Sequence, residues 1–261
     1  MDKLYIIKIG GNVIDEDEAL ADFLKQFSTL SGRKILVHGG GKLATRLADQ
    51  MQVPQTMIEG RRVTDLETLR IITMVYAGLV NKTIVSALQS HHCNAVGLTG
   101  ADGNSVLAHK REHPITDYGF VGDIDTVDHS FLSHLLEQGL VPVFAPITHN
   151  GKGQLLNTNA DTMAQEIARA LSKTYQTILV FTFEKAGVLT DVKDENSVIA
   201  VITRSEYQKL KSGDKIFAGM IPKLDNAFRA IDEGVNRVII GKAAGLVELI
   251  NGNAGTTITH A

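Results

Sequence analysis

Short, nearly uninterrupted apolar runs alternate along the chain with longer stretches in which apolar residues recur at helical spacing. We interpret the apolar runs as strands buried on both faces, because such strands carry apolar residues at successive positions. The runs are Leu4–Ile9, Ile35–Val37, Ala95–Leu98, Val141–Ala145, Ile178–Phe181 and Arg237–Ile240. The amphipathic stretches predict helices at about 16–30, 42–51, 65–90, 128–138, 159–171, 203–211 and 223–233.

This alternation predicts the α/β fold class, as a three-layer αβα sandwich around a mainly parallel central sheet. Thr64–Glu67 is typical of a capping box, with Thr64 as the helix cap. The polar, turn-rich segment 103–124 predicts hairpins beyond the main sheet. We place a division after the helix that ends near Leu171, which gives units 1–171 and 172–261 of one compact chain.

The composition excludes several classes of protein. The formal net charge of −3 gives no bulk attraction to nucleic acid or to an anionic membrane surface. No export leader is apparent, and the apolar runs, such as Ile178–Phe181, are too short to cross a bilayer. The single cysteine, Cys93, indicates a reducing cytoplasm. We interpret Met57, Met74 and Met163 as core residues.

Lys8 interrupts the apolar strand Leu4–Ile9 immediately before Gly10 and Gly11. A buried ammonium is costly unless it meets an anion or reaches solvent. Glycines at this point let backbone N–H groups approach a ligand closely, and ligands of open parallel sheets bind beyond the carboxyl ends of the strands. The pattern favours an anion site, and a lysine that extends to solvent beside an ordinary turn is the alternative.

Three glycines follow the strand Ile35–Val37 and His38, and a helix begins directly after them at Lys42. A glycine-rich helix start presents unpaired N–H groups and the positive end of the helix dipole, which together bind anions. The spacing is neither that of a Walker A loop nor that of G-x-G-x-x-G. We predict an anion site here, with a flexible turn as the alternative. We interpret His38 as a structural hydrogen-bond donor, since no second metal ligand is suitably spaced.

Two further segments place cations beside a predicted helix start. Gly60–Asp65 contains Arg61 and Arg62, and a guanidinium there could bind a carboxylate with two hydrogen bonds. Two solvated arginines are the alternative. Gly219–Lys223 places Lys223 near a helix N-terminus, where a cation is unfavourable unless an anion compensates it.

The segment Leu156–Asp161 carries three polar side chains into a predicted helix. Asn157 and Asn159 alternate along the chain and could donate hydrogen bonds to one ligand, while Asp161 falls in the first helical turn. Helix capping by Asn or Asp is the alternative. His91–Cys93 has no partner motif elsewhere, so we interpret it as a loop at a helix end rather than a metal site.

Taken together, five segments resemble the motifs of the amino-acid kinase superfamily in order and spacing, from residue 4 to the C-terminus. They are Lys8-Ile-Gly-Gly11, His38-Gly-Gly-Gly41, Gly60-Arg-Arg-Val-Thr64, Leu156-Asn-Thr-Asn-Ala-Asp161 and Gly219-Met-Ile-Pro-Lys223. The resemblance implies transfer of a phosphoryl group from Mg-ATP to the γ-carboxylate of N-acetyl-L-glutamate, a step of arginine biosynthesis. A carboxylate acceptor is already deprotonated at neutral pH, so the absence of an evident general base is consistent with this reaction.

The resemblance also implies roles for individual residues. Lys8 and Lys223 would flank the transferred phosphoryl group, with Asp161 between the two ammonium groups. The residues implied to bind the acceptor are Gly40, Gly41, Arg62, Asn157 and Asn159. Those implied to bind the nucleotide and the phosphoryl group are Gly10, Gly11, Glu184, Gly187, Gly219 and Met220. No protein metal ligand is assigned, because the phosphates of ATP would hold most of the Mg²⁺ ligation.

By the same resemblance, 1–171 would bind the N-acylated amino acid and form a homodimer, and 172–261 would bind ATP. The chain begins close to the first strand, as in dimeric, arginine-insensitive relatives. The segment Thr182–Gly187 departs from the family pattern, because Glu184 stands near the place of the usual aspartate. N-succinylglutamate and glutamate are alternative acceptors. A non-catalytic nucleotide or amino-acid sensor on the same fold is a further alternative.

Overall fold

A computed structural model of the chain describes residues 1–58, 61–191, 193–212 and 220–260. The strands are β1 Lys3–Ile9, β2 Arg33–His38, β3 Met57–Ile58, β4 Arg61–Arg62, β5 Ala95–Leu98, β6 Val106–Lys110, β7 Gly122–Val127, β8 Val141–Phe144, β9 Ile147–His149, β10 Leu155–Asn157, β11 Gln176–Phe183, β12 Val201–Ile202, β13 Arg237–Lys242 and β14 Thr256–Ile258. The α-helices are α1 Gly11–Ile14, α2 Asp17–Thr29, α3 Gly41–Gln50, α4 Leu66–Thr73, α5 Asn81–Ser90, α6 His129–Glu137, α7 Ala160–Leu171, α8 Arg204–Ser212, α9 Ile221–Asp232 and α10 Leu246–Asn251.

Within these residues the central sheet has eight strands in the order β12-β14-β13-β11-β1-β2-β8-β5. All neighbouring strands are parallel except β13 and β14. In the middle of the sheet, Lys8 of β1 is in register with Val37 of β2 and Phe181 of β11. The predicted, mainly parallel central sheet is confirmed, and it brings the carboxyl ends of β1, β2 and β11 to one edge.

Both faces of the sheet are covered, because successive residues of β1 belong to different core clusters. Leu4 and Ile6 pack in the cluster that includes Met163 of α7. Tyr5, Ile7 and Ile9 pack in the cluster that includes Phe23 and Phe27 of α2. Side chains of a strand alternate between faces, so the two clusters are the two helix–sheet interfaces of a three-layer αβα sandwich. The predicted fold class is confirmed.

A smaller sheet of four strands, in the order β10-β9-β6-β7, continues from the ends of the central strands. β6 and β7 pair antiparallel, which confirms the hairpin predicted within 103–124. β9 begins three residues after β8 ends, and β10 ends three residues before α7 begins. The sequence analysis missed β9 and β10. A two-stranded ribbon of β3 and β4 completes the region.

The helical stretch Leu66–Ser90 is long and apolar enough to cross a bilayer by length and composition. It contains a π-helical segment, Met74–Val80, and buries Ile72, Val80 and Ile84 in the core, so it is a core helix of this fold. Its predicted cap was wrong: the Oδ1 of Asp65 accepts a hydrogen bond from the Thr68 amide at 2.7 Å.

The prediction that three methionines lie in the core was partly wrong. Met163 is fully buried, but Met57 and Met74 expose 56% and 51% of their surface. The proposed division after Leu171 falls within one continuous sheet, since β11 pairs directly with β1. The assignment of separate roles to 1–171 and 172–261 stays a prediction.

Candidate active site

Lys8 is the penultimate residue of β1, so its side chain leaves the sheet at the carboxyl edge. Thr182 of the adjacent β11 fixes the backbone there, because its hydroxyl donates to the Lys8 carbonyl at 3.0 Å and accepts from the Gly10 amide at 3.3 Å. A Cβ on Gly10 would lie 2.9 Å from the Thr182 carbonyl oxygen. The turn after β1 therefore requires glycine.

The ammonium of Lys8 lies 2.9 Å from Oδ1 of Asp161. Asp161 is the second residue of α7, whose start is capped by the Oδ1 of Asn159, which accepts from the Thr162 amide at 3.0 Å. The Asp161 Oδ1 atom is buried and accepts no well-aligned hydrogen bond within the described chain, so the Lys8 contact is an ion pair. Only 13% of the Lys8 side chain is exposed, which makes this carboxylate its main compensation within the protein.

Lys223, near the start of α9, faces the same cleft. Its Nζ lies 3.7 Å from the centroid of the Phe183 ring. Partial burial lowers the pKa of Lys223, and the nearby Lys8 charge lowers it further, while Asp161 and Glu184 oppose the shift. The charges of Lys8, Asp161 and Lys223 thus act on one another in this cleft. The arrangement suits an anion that approaches both ammonium groups.

This phosphate-side cleft has a volume of about 380 Å³. It is lined by Lys8, Gly10, Gly11, Asn12, Val13, Thr182, Phe183, Glu184, Lys185, Gly187, Met220 and Lys223. All described residues that were predicted to bind the nucleotide or the phosphoryl group line it. Gly219, the remaining one, lies outside the described residues, as does Gly60.

A second space, the acceptor cavity, has a volume of about 240 Å³. Its lining includes Gly39, Gly40, Gly41, Met57, Arg61, Arg62, Tyr76, Arg111, Val121, Gly122, Asp123, Pro146, Asn157, Thr158, Asn159, Ala160 and Thr162. Every residue predicted to bind the acceptor is among them. Asp161 follows the lining residue Ala160 and pairs with Lys8, so it stands between the cavity and the cleft.

Arg62 is held in place on one side of the acceptor cavity. Its Nη2 donates to the Gly41 carbonyl at 3.0 Å and to the Thr45 hydroxyl at 2.9 Å, and its Nη1 donates to Oε1 of Gln55. These bonds restrict the guanidinium before any ligand arrives. Across the cavity, the amide of Asn157 donates to the Thr64 hydroxyl at 3.0 Å.

Buried neighbours fix the backbone of the glycine segment that lines the cavity, residues 39–41. Gly40 has a φ of +147°, and a Cβ there would lie 3.0 Å from the Tyr76 ring. The Nδ1 of His38 lies 2.7 Å from the Gly39 carbonyl, which can only accept, so the imidazole proton is on Nδ1. Nε2 then accepts from the Asn81 amide at 3.1 Å. Burial lowers the pKa of His38 to about 4, which keeps the ring neutral.

The sequence analysis missed several residues that line the two spaces. Phe183 and Tyr76 were not assigned to the site, and Arg111 and Asp123 fall in a segment interpreted only as hairpins. Arg111 carried a usable signal, since a cation beside a short strand in a turn-rich segment is typical of a binding loop. Thr182 also carried a usable signal, because it is a polar residue at the end of an apolar run, as Lys8 is.

Among the described residues no group of three or more His, Cys, Asp or Glu side chains is placed to hold a metal ion. The carboxylates nearest the phosphate-side cleft are Asp161 and Glu184. A Mg²⁺ ion in a kinase site usually keeps phosphate and water ligands. The residues present therefore fit a cation that enters on a nucleotide rather than one bound by a dedicated set of side chains.

The sequence profile of the Amino acid kinase family matches residues 3–242. The chain is 56% identical to the acetylglutamate kinase of Cytophaga hutchinsonii over 256 residues, which are 97% of this chain and 96% of that one. It is 52% identical to the acetylglutamate kinase of Phocaeicola vulgatus over 257 residues, 98% of each chain. The crystal structure of smu.665 from Streptococcus mutans superposes with a TM-score of 0.78 at 28% identity and covers 99% of both chains.

Proposed function

The chain belongs to the amino acid kinase family, and from this premise we propose that it transfers the γ-phosphoryl group of ATP to the γ-carboxylate of N-acetyl-L-glutamate. The high-identity relatives carry the name of that kinase over nearly their full length. The product, N-acetylglutamyl 5-phosphate, belongs to arginine biosynthesis. The observation that carries the proposal is the convergence of Lys8, Asp161 and Lys223 beside a cavity with a fixed arginine.

In the acceptor cavity, Arg62 binds the α-carboxylate of the amino acid. Its guanidinium is already oriented by the Gly41 carbonyl and Gln55, so little side-chain entropy is lost on binding. Asn157 and Asn159 offer amide groups to the other polar atoms of the acceptor. The N–H groups of Gly40 and Gly41, at the start of α3, hold the γ-carboxylate.

The transfer forms one bond and breaks one bond. An oxygen of the γ-carboxylate attacks the γ-phosphorus, the bond from that phosphorus to the bridging oxygen breaks, and ADP leaves with the electron pair. No proton is removed, because the attacking carboxylate is ionised at neutral pH. The protein has to align two anions and stabilise the charge on the phosphoryl oxygens.

Lys8 and Lys223 supply that charge stabilisation from two sides of the cleft. Asp161 holds the Lys8 ammonium at 2.9 Å and limits the repulsion between the two cations. The amides of Gly10 and Gly11 lie at the same cleft wall and can donate to a phosphoryl oxygen. Preorganised donors of this kind cost little reorganisation when the reaction occurs.

On the nucleotide side, Glu184, Gly187 and Met220 line the phosphate-side cleft and contact ATP in this proposal. A Cβ on Gly187 would lie 2.7 Å from the Thr256 hydroxyl, so the close packing beneath the nucleotide requires glycine there. Mg²⁺ bound to the ATP phosphates would supply shielding of their negative charge. The 1–171 part binds the acceptor, and the 172–261 part binds ATP.

We further propose a cytoplasmic homodimer with no nucleic-acid or membrane partner. On the stretch Leu66–Ser90, Met74 and Leu79 expose 51% and 59% of their surface. A contiguous exposed apolar patch marks a subunit contact, and in this proposal Met74 and Leu79 belong to such a patch. Light scattering after size exclusion should give twice the chain mass of 28.2 kDa, and Leu79→Lys should lower it to the monomer mass.

Hydroxylamine trapping tests the proposed reaction, because acyl phosphates form coloured hydroxamates. The chain is incubated with Mg-ATP and with N-acetyl-L-glutamate, glutamate or aspartate, and ADP formation is followed in parallel, with UMP as a non-carboxylate acceptor. We expect hydroxamate and ADP in equal amounts with N-acetyl-L-glutamate. Absence of ADP with every acceptor, together with nucleotide binding, would favour the sensor.

A further inference from the structure

Helices α8 and α9 contact each other through two matching rows of side chains. Each row has the spacing i, i+3, i+7, so each lies on one face of its helix. The rows meet in the pairs Arg204–Asp232, Tyr207–Phe228 and Lys211–Asp225. Among the residues that the structure describes, none of these six lines the acceptor cavity or the phosphate-side cleft. The roles assigned so far therefore leave this helix contact unexplained.

Tyr207 is the buried centre of the contact. Only 3% of its surface is exposed, and its ring stacks on Phe228 with the centroids 5.1 Å apart. Its hydroxyl donates to Oδ1 of Asp225 at 2.7 Å and lies 3.4 Å from the Ile221 carbonyl oxygen. The Nζ of Lys211 lies 3.2 Å from both oxygens of the same carboxylate. The hydrogen bond from Tyr207 lowers the pKa of Asp225, so the acceptor is ionised at neutral pH and the bond is charge-assisted.

These contacts fix the helical turn that carries Lys223. α9 begins at Ile221, so the Tyr207 hydroxyl contacts both ends of the first turn, and Lys223 lies midway between them. At 3.6 residues per turn, side chains two positions apart leave a helix about 200° apart. Lys223 therefore faces the cleft and the Phe183 ring, while Asp225 faces α8.

The position of the Lys223 ammonium matters for the reaction, because a misplacement of about 1 Å can lower a rate about 100-fold. We propose that Tyr207 is a positioning residue for phosphoryl transfer. Through its hydrogen bond to Asp225 it sets where the first turn of α9 lies, and so where the Lys223 ammonium meets the phosphoryl group. The inference rests on the proposed kinase function and extends it to a residue that touches neither substrate.

Tyr207→Phe tests this role, because it removes the hydroxyl and keeps the ring that packs on Phe228, so the variant should fold. With hydroxamate detection, kcat should fall by about 5- to 20-fold, since a charge-assisted hydrogen bond that holds Lys223 is lost. The KM for N-acetyl-L-glutamate should change by less than about twofold, because no described residue of α8 lines the acceptor cavity.

Arg204→Gln is the matched control from the same helix contact. It breaks the pair with Asp232, which is the last residue of α9, at the end of the helix opposite Lys223. It should change kcat by less than about twofold, because a half-exposed ion pair contributes little and lies away from the cleft. Activity is measured below the unfolding transition of each variant, so that a loss of folded protein does not enter kcat.

Two combined variants separate positioning from a general effect on the fold. In the Lys223→Ala background no ammonium remains to be misplaced, so Tyr207→Phe should change the residual kcat by less than about twofold. Asp225→Ala removes the same hydrogen bond from the other helix and should lower kcat as Tyr207→Phe does. The two changes together should cost less than about twofold more than the larger single change.

Three results would overturn the inference while the unaltered chain still forms hydroxamate from N-acetyl-L-glutamate. The first is an unchanged kcat in Tyr207→Phe, and the second is an equal loss in Tyr207→Phe and Arg204→Gln. The third is a full loss from Tyr207→Phe in the Lys223→Ala background, because the tyrosine would then act by another route. Absence of hydroxamate with the unaltered chain would instead overturn the proposed function, and this inference with it.

Discussion

The ammonium of Lys223 lies 3.7 Å from the centroid of the Phe183 ring, at the wall of the cleft that also holds Lys8. A cation over an aromatic face is stabilised by the ring quadrupole by about 0.5–2 kcal/mol. Phe183 therefore substitutes for part of the hydration that Lys223 loses. It also helps to hold the ammonium at one position, where Asp161 and Glu184 act on its charge.

Replacing Phe183 by leucine should lower kcat by about 3- to 10-fold, because Lys223 loses the group that positions its ammonium. The KM for the acceptor should change by less than about twofold, since Phe183 does not line the acceptor cavity. Phe183→Tyr, which keeps the aromatic face, is the control and should retain most of the activity. Equal losses in both variants would contradict a cation–ring role.

Lys8→Ala and Lys223→Ala should each lower kcat by at least ~100-fold with smaller changes in KM, because each removes a charge that acts on the transition state. Steady-state kinetics with saturating Mg-ATP measure this. Lys185→Ala is a matched control from the same cleft wall, where Lys185 lies 3.9 Å from Glu195, and should cost less than about fivefold. Near-normal turnover in either of the first two variants would refute the assigned roles.

Arg62→Ala should raise the acceptor KM by about 10- to 100-fold and the ATP KM by less than about threefold, because Arg62 lines the acceptor cavity and not the cleft. Arg70→Ala serves as the comparison, since Arg70 is an exposed arginine that pairs with Glu67 nearby. Equal increases for both substrates would move Arg62 out of the acceptor site.

His38 should make the protein less stable as the pH falls. Its pKa is about 4 in the folded chain and about 6.5 when unfolded, so below about pH 6.5 the unfolded chain binds a proton that the folded chain does not. The loss of stability begins as the pH falls through about 6.5. It reaches roughly 3 kcal/mol at about pH 4. Urea unfolding between pH 7 and pH 4.5 measures the slope.

His38→Gln should reduce that pH dependence, because the amide does not titrate. His91→Gln is the control: His91 is exposed at the end of α5, and its replacement should leave the slope unchanged. A wild-type slope in His38→Gln would show that other groups account for the acid sensitivity.

The central layer of the fold followed directly from the sequence. Buried parallel strands need apolar residues on both faces, and Leu4–Ile9 or Ile178–Phe181 can hardly form anything else. Lys8 was identifiable because a charge in such a strand requires an explanation. The cap of the helix that begins at Leu66 was assigned one residue too early, to Thr64 instead of Asp65. Both residue types are good helix caps, and only the path of the backbone selects Asp65.

The smaller sheet beside the acceptor cavity could not be predicted in the same way. β9 and β10 are three residues long, too short for an alternating pattern to be distinguished from a loop. Arg111 meets Asp123 only because the hairpin register places them together, and composition says nothing about that register. The Lys223–Phe183 contact depends on where α9 begins in space, which local sequence does not determine.

The position of β1 between β2 and β11 also bears on how the chain is made. The Thr182 hydroxyl that bonds the Lys8 carbonyl is 174 residues downstream of it. A nascent chain leaving the ribosome therefore carries one unpaired edge of β1 until β11 has been synthesised, and such an edge invites pairing with other chains. Truncation before β11 should yield aggregates rather than a smaller folded protein, and co-translational assembly of this enzyme must wait for most of its length.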